Sequence, residues 1–565
     1  MQQRRRLAKC RARRPCLYDR PCPIPRQTAT KQTLPIMILY PTMRPIATDT
    51  ADFPSLRRDG KIYVDKTMYI HRLVTDCNTK LFFMSRPRRF GKSLTISALK
   101  ALFKGRHELF EGLYIDKTDW KWEKYPVIHF EFNDLDTSSL ERFDKSLCSH
   151  VRRKLTEAGF EYDALEDPPE NFGNAIESLS SANGGKGVVI LIDEYDAPVG
   201  HALGDVDFAE NIRDRLSSVY SQMKNRTGDI RFLFMTGVSK FTKLSVFSAL
   251  NNLVDVSQDD EYATMFGYTE EELSANFEEH LRAHAEKMGK SYEDYREEMK
   301  KWYNGFRFAR NVETTVYNPI SVAYTLYKKE PGFTATWSST GRPSMLMNYL
   351  KREDLLRIDY ESVRNVDAAE FDVAELRNLR AIPMLYQSGY LTIKDFDCDL
   401  YTLGVPDEEV RRDLAKLVAG AAADTDMTWA SSISAKLVGA DFPAFFVGLK
   451  SLYAHMPYGS LEGTVHEHSY ARILCTLLAA QGVTTRAEDV QSNGRADLIA
   501  EHRRGIFIFE LKVDEPVDKA FAQIRAKGYA EPYLADGRPI WFVGLSFDSS
   551  TRRLVGYAAE RWETA

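Results

Sequence analysis

Cysteine is scarce in this chain and follows no bridge or ligand spacing. There are seven, three of them (Cys10, Cys16 and Cys22) near the N-terminus, and no C-x-x-C. That pattern excludes a disulfide framework and a structural zinc site, and it fits a reducing, cytoplasmic compartment. Long apolar runs are missing too. None approaches the ~18 residues of a membrane span, and the first 36 residues hold no continuous apolar stretch of the kind a secretory signal needs. The eleven histidines are dispersed. His466-Glu467-His468 alternates, and alternate residues on a helix do not share a face, so a histidine metal site is not indicated there. No internal repeat is visible.

What is present is enough to fold. A hydrophobic content of 44% with 12% aromatics supports real cores, and 565 residues imply about three or four domains. Charge is unevenly spread. Residues 1–50 hold eleven Lys/Arg against two Asp, a net of +9, which leaves −13 on the rest if the total is −4. Polyanion binding by the folded body must therefore come from local patches. The first 36 residues are Arg-rich, acid-poor and broken by Pro15, Pro21, Pro23 and Pro25. They read as a disordered tail, from a start upstream of Met37 or Met43. A transit peptide fits the charge, but the prolines oppose its amphipathic helix.

Leu81-Phe82-Phe83-Met84 runs into Ser85-Arg86-Pro87-Arg88-Arg89-Phe90-Gly91-Lys92-Ser93, an apolar strand feeding a phosphate-binding loop. The full motif is G-x-x-x-x-G-K-[ST], and Arg86 stands at its first glycine. Gly91 remains where backbone must approach phosphate, Lys92 would reach the β- and γ-phosphates, and Ser93 would offer its hydroxyl to Mg²⁺. Arg86, Arg88 and Arg89 add positive charge. Val188-Val189-Ile190-Leu191-Ile192 reads as a strand buried on both faces of a parallel sheet, ending at Asp193-Glu194. Strand carboxyl ends present ligand-binding groups. Asp193 would hold Mg²⁺ and Glu194 would orient or deprotonate the attacking water. A third run, Arg231 to Met235, ends at Thr236-Gly237, where Thr236 would sense the γ-phosphate.

Near the other end, Asp497 opens a strand after Gly494, and Ile506-Phe507-Ile508-Phe509-Glu510-Leu511-Lys512 forms the next. Residues two apart lie on one face of a strand, so Glu510 and Lys512 point together. Two acids can coordinate a metal through oxygen while the lysine orients water or neutralises charge. A helix from about Pro516 to Lys527 puts Val517, Ala520, Phe521 and Ile524 on one face and stops at Gly528. An edge strand with alternating charges is the ordinary alternative. A charged pair closing an apolar strand is, however, costly unless exposed or used.

The middle is dense in Glu, Lys and Ala from Thr269 to Lys301, with Leu273, Phe277 and Leu281 at helical spacing. Tyr303-Asn304-Gly305-Phe306 reads as a turn, and Asp407 to Ala423 as a helix. Arginines are too numerous for one to be singled out as a finger, so a homo-oligomer is compatible with the sequence without being indicated by it.

Together, Tyr63-Val64-Asp65-Lys66-Thr67, the Ser85–Ser93 loop, Leu191-Ile192-Asp193-Glu194-Tyr195-Asp196 and Thr236-Gly237-Val238-Ser239-Lys240-Phe241 resemble the AAA-ATPase-like family. Its members are common in bacteria and are paired with a C-terminal PD-(D/E)xK nuclease-like domain. The likeness continues through Tyr317-Asn318-Pro319, Tyr386-Gln387-Ser388-Gly389-Tyr390 and Gly404-Val405-Pro406, and covers nearly everything after about residue 45. It implies ATP and Mg²⁺ as cofactors, with Arg86, Arg89, Gly91, Lys92, Ser93, Asp193 and Thr236 around the nucleotide. It also implies a nuclease metal site of Asp497 and Glu510 completed by Glu467, with Lys512 beside it and Gln523, Lys527 and Tyr529 at its border.

The expected fold is α/β: a disordered tail (1–45), a P-loop parallel-sheet ATPase core (46–268), a helical lid and middle module (269–400), a helical connector (401–457) and a restriction-endonuclease-like α/β domain (458–565). The expected function is an ATPase coupled to a Mg²⁺-dependent nuclease acting on DNA or RNA, without a membrane. The alternatives are an ATP-gated scaffold that binds nucleic acid or protein without cutting, and a nuclease with a vestigial P-loop.

Overall fold

Four apolar runs, Leu81–Ser85 (β1), Val127–Glu131 (β2), Val188–Asp193 (β3) and Ile230–Gly237 (β4), join the short Val254–Asp255 (β5) in one sheet ordered β2-β3-β4-β1-β5. Every pairing is parallel. β1 and β3 are buried at each position, as strands covered by helices on both faces must be. These coordinates come from a computed structural model that describes residues 43–48, 50–240, 250, 252–337, 358, 360–372, 376–423, 427–455, 467–479, 482–491 and 494–563. The tail before Met43, Phe241 and His466 lie outside the described residues. Parallel order gathers all the strand carboxyl ends at one edge, where Ser85 is in register with Gly237 and Glu131 with Asp193. β4 separates β1 from β3, so the loop after β1 and the acid ending β3 stand two strand spacings apart, about 10 Å.

The middle differs from a single helical stretch. Thr269 and Glu272 form a capping box that starts the helix Glu270–Lys287. Gly289, at φ 64°, then ends the run, and Ser291 caps a second helix, Tyr292–Tyr303. Tyr303-Asn304-Gly305-Phe306 is not a turn: Asn304–Phe306 (β6) pairs antiparallel with Val316–Tyr317 (β7). Gly305 has φ 137°, and a Cβ there would stand 2.0 Å from the Pro406 carbonyl oxygen. Only glycine lets those two backbones meet.

Val363–Asp367 (β8), Thr392–Asp397 (β9) and Leu400–Gly404 (β10) form an antiparallel sheet ordered β8-β10-β9, so this region is mixed rather than helical. Its Phe371, Leu385, Tyr401 and Leu403 share one apolar core with the parallel sheet. The helix pair has a separate core with Ile62, Val64, Tyr317 and Val322.

The C-terminal sheet comprises Thr484–Gln491 (β11), Gly494–His502 (β12), Gly505–Val513 (β13), Ile540–Asp548 (β14) and Arg553–Arg561 (β15) in sequential order. Only β13 and β14 run parallel. Phe507, Phe509 and Leu511 pack beneath the helices Met427–Val438, Phe442–His455 and Glu467–Ala479. Ile506 and Ile508 face Phe521 and Ile524 of the helix Val517–Lys527. Glu510 and Lys512 share the parity of Ile506 and Ile508. Among the described residues no helix is long and apolar enough to cross a membrane.

Candidate active sites

Gly91 is where the first loop turns into the helix Lys92–Phe103. It adopts φ 92°, a conformation a side chain resists, and a Cβ there would meet nothing within 4 Å, so the backbone lies open to a ligand. Lys92 is only 6% exposed. Its Nζ donates to the carbonyls of Arg86 (2.9 Å) and Pro87 (2.8 Å), folding the loop around its own ammonium. Burial pulls the Lys92 pKa down, opposed by Asp193 and Glu194.

Asp193 is 2% exposed. It accepts from the Glu194 amide at 3.0 Å and bonds the Ser93 side chain. Burial raises its pKa; burial and then Asp193 raise that of Glu194. Glu194 has φ 50°, strain of about 1–3 kcal/mol for a non-glycine residue. That turn sets Glu194 in the lining of a cleft of about 420 Å³ that also holds Arg89, Gly91, Lys92 and Ser93. The volume suits a ligand of nucleotide size. Ser93 and Asp193, hard oxygen donors in mutual contact beside a lysine, fit a Mg²⁺-bound phosphate.

Two expected residues sit differently from what their sequence positions suggest. Arg86 is 2% exposed. Its guanidinium donates to the carbonyls of Ser85, Ser257 and Tyr262 and lies 4.4 Å over the Phe308 ring. It braces the base of the loop, and what it offers the cradle is its backbone. Thr236 is fully buried, and its hydroxyl donates to the Met84 carbonyl at 2.8 Å inside the sheet. Arg89 packs against the Tyr324 ring at 5.6 Å.

Sequence reasoning missed the rest of the cleft wall: Asn133, and an apolar side of Ile46, Ala47, Tyr268, Ile320 and Ala323. These come from segments far apart in the chain. Only Asn318-Pro319 carried a local signal, as the cap and first residue of the helix Pro319–Tyr327.

Asp196, also missed, ties the end of β3 to that of β4. Its carboxylate accepts from the amides of Val238 (3.2 Å) and Ser239 (2.7 Å). A Cβ on Gly237 would fall 2.3 Å from Asp196 Oδ1 and 2.6 Å from the Tyr195 ring. Gly237→Ala is therefore expected to cost about 1–3 kcal/mol of stability in denaturant unfolding.

At the second site, Asp497 Oδ2 accepts from the Leu511 amide at 2.8 Å, docking β12 on β13 where the two strands diverge. Glu510 is fully buried. Its Oε1 accepts from Lys512 Nζ at 2.9 Å, and its Oε2 is buried without a hydrogen-bond partner. Lys512 also donates to Glu467 Oε1 (3.3 Å) and the Leu511 carbonyl (2.9 Å). Glu467, expected as a metal-completing acid, is the first residue of its helix, and its carboxylate meets the Lys512 ammonium.

Burial, with Asp497 behind it, raises the Glu510 pKa to about 7. Burial and then Glu467 raise that of Asp497. Burial pulls Lys512 down, but its bond to Glu510 and the surrounding acids overbalance this and leave its pKa raised. Tyr529 bonds the Arg495 carbonyl at 2.7 Å and the Gln523 side chain, whereas Lys527 is exposed at the helix end.

Among the described residues no three His, Cys, Asp or Glu side chains are drawn together as a metal cage, because the Lys512 ammonium sits between Glu467 and Glu510. The unpartnered Glu510 oxygen and the second oxygen of Asp497 nonetheless fit a hard cation, provided Lys512 swings aside.

The Glu510 pKa has a stability consequence. Between its ordinary value of 4.5 and about 7, the folded chain holds a proton that the unfolded chain has released. Stability in EDTA is therefore expected to fall as pH rises through that window, by at most about 1.4 kcal/mol per pH unit for one proton. Glu510→Gln should flatten that slope in urea titrations at pH 5, 6 and 7.

A parallel sheet with a phosphate-loop cleft, followed by a mixed sheet bearing Asp…Glu-x-Lys, defines an AAA-type ATPase fold joined to a PD-(D/E)xK-type fold. Residues 45–247 match the family described as "Predicted AAA-ATPase", and residues 465–556 match the PD-(D/E)XK nuclease superfamily. The chain is 32% identical over 515 residues to an Azotobacter chroococcum mcd 1 protein named for the vnfD 5′ region; the match covers 89% of this chain and 96% of that protein. It belongs to the AAA-ATPase-like family with a C-terminal PD-(D/E)xK nuclease-superfamily domain. No solved structure matches it.

Proposed function

We propose that this protein binds and hydrolyses ATP and couples nucleotide state to phosphodiester cleavage of DNA or RNA in the cytoplasm. The observation that carries the reading is the pairing of two sites in one chain: Lys92, Ser93 and Glu194 in the N-terminal cleft with Asp193 bonded to Ser93, and Asp497 of β12 bonded to β13 beside Glu510 and Lys512. In the first, Gly91 and Lys92 would cradle the phosphates, Ser93 and Asp193 would hold Mg²⁺, and Glu194 would orient the water. Arg89 and Tyr324 would flank the nucleotide from the lid side.

In the second, Asp497 and Glu510, with Glu467, would hold Mg²⁺, which supplies Lewis-acid activation of water when bound. Lys512 would then be released from Glu510 to neutralise charge on the scissile phosphate. Gln523 and Tyr529 support the Arg495 end of β12, and exposed Lys527 would meet the nucleic-acid backbone. Among the described residues, Cys77, Cys148 and Cys398 stand as thiols, which suits a reducing compartment.

A second reading draws on Lys512 bridging Glu467 and Glu510. An internal cation could replace the metal permanently, leaving an ATP-gated switch that binds without cutting. The test is a pair of assays on one preparation, calorimetric ATP titration and incubation with nucleic acid in Mg²⁺. ATP binding with metal-dependent cleavage supports the first reading. ATP binding without cleavage supports the second, and no ATP binding contradicts both.

A further inference from the structure

The helix Glu408–Ala423 lies between the two sites, and its first turns are tied to both sides. On the nucleotide side, the helix Pro319–Tyr327 lines the cleft with Pro319, Ile320, Ala323 and Tyr324. Ser321 of the same helix turns away from the cleft and donates to Glu409 Oε2 at 2.5 Å. Glu409 is fully buried, and its other oxygen accepts from the Thr336 amide (2.7 Å) and hydroxyl (2.9 Å).

One turn on, Arg412 is held by Glu408 at 2.8 Å and lies 4.2 Å over the Trp302 ring of the lid helix Tyr292–Tyr303. On the nuclease side, the Arg412 guanidinium presses on Gly482, the residue two before β11, where a Cβ would stand 2.8 Å from Nη1. The helix also packs along Glu467–Ala479, whose first residue contacts Lys512. A buried carboxylate and a stacked guanidinium thus connect the cleft wall to the helix that carries a nuclease-site acid.

We infer that the helix Glu408–Ala423 transmits nucleotide occupancy of the cleft to the nuclease site, with Glu409 reading the cleft helix through Ser321 and Arg412 passing its position to Gly482 and the Glu467 helix. This rests on the reading of the cleft as an ATP site. A nucleotide against Ile320, Ala323 and Tyr324 favours one position of Pro319–Tyr327. Because Ser321 is bonded to buried Glu409, the connector helix must follow or lose that bond. Coupling through such an element is reciprocal, so a nuclease-site ligand should in turn shift ATP affinity by the same factor.

The test is hydrogen exchange of the full chain with Mg²⁺, with and without saturating ATP, alongside calorimetric ATP titration of each sample. In the wild type, ATP is expected to change exchange in residues 467–479 and 505–513 by about fivefold or more. Arg412→Met keeps the aliphatic stem but removes the charge over Trp302 and against Gly482. Ser321→Ala removes the bond to Glu409. Each variant should bind ATP with the nuclease-domain response lost. Should a folding defect compromise one, the other still decides the matter, since Ser321 acts on the cleft side of the helix's first turns and Arg412 on the side facing Gly482. An unchanged response in both variants, or wild type that binds ATP without any response in those residues, overturns the proposal. Absence of ATP binding in the wild type overturns the underlying reading of the cleft, which the titration reports separately.

Discussion

Lys92→Ala is expected to weaken ATP binding by about 30-fold to several thousandfold, the equivalent of ~2–5 kcal/mol for removing one partner of a buried charge contact. The size follows from the position of the ammonium. It is 6% exposed and bonded to two loop carbonyls, so the desolvation of its charge is already met within the folded chain. Phosphate oxygens then exchange for the Arg86 and Pro87 carbonyls with little further loss of water. Alanine removes the charge and also the link that closes the loop. Lys92→Met separates the two: it fills the buried space without charge and should lose nearly as much affinity while unfolding closer to wild type. Calorimetry with ATP and Mg²⁺ measures the loss. Wild-type affinity in both variants would show that the cleft does not bind phosphate through this lysine.

The second large effect belongs to Lys512. Lys512→Ala is expected to abolish cleavage, by about 10²–10³ or more, as removal of a positioned charge-stabilising donor does. It also strips Glu510 of its ion-pair partner while the other Glu510 oxygen is already unpartnered. Breaking a buried pair costs about 3–5 kcal/mol when the remaining charge cannot escape. Glu510 can escape by taking up a proton, since burial and Asp497 already hold its pKa at about 7. The stability loss should therefore fall toward the low end of that range at pH 6 and grow by pH 8. Adding Glu510→Gln to Lys512→Ala should recover stability and leave cleavage absent. Denaturant unfolding and plasmid nicking on the same samples distinguish the catalytic loss from the structural one.

Much of the fold was legible because its signals are local. The apolar run Val188–Ile192 reads as a strand buried on both faces, and the acid at its end, Asp193, falls at the carboxyl edge of the parallel sheet. The Glu510–Lys512 parity, the Asp497 strand and the Pro516-to-Gly528 helix were likewise written in spacing. What escaped depends on partners distant in sequence. Arg86 stood at a phosphate-loop position, but its guanidinium answers to carbonyls of residues 257 and 262. Thr236 ends the right strand, yet its hydroxyl is spent on its neighbour β1. The sheet β8-β10-β9 was hidden because its strands are short and carry Lys394, Asp395 and Asp397 outward, without a continuous apolar run. The break at Gly289 was readable in principle, since glycine followed by a capping serine marks one helix's end and another's start. The continuous Glu/Lys/Ala composition obscured it.

The measurement that tests the central claim most directly is cleavage of plasmid, linear and single-stranded DNA and of RNA in Mg²⁺, with and without ATP. Wild type, Lys92→Ala and Lys512→Ala would be run together. A coupled ATPase-nuclease predicts metal-dependent cleavage by wild type that changes with ATP. Lys92→Ala should lose that ATP response, and Lys512→Ala should show no cleavage while still binding ATP. Wild type that binds ATP but cuts none of these substrates, or Lys512→Ala that cuts as well as wild type, would contradict it.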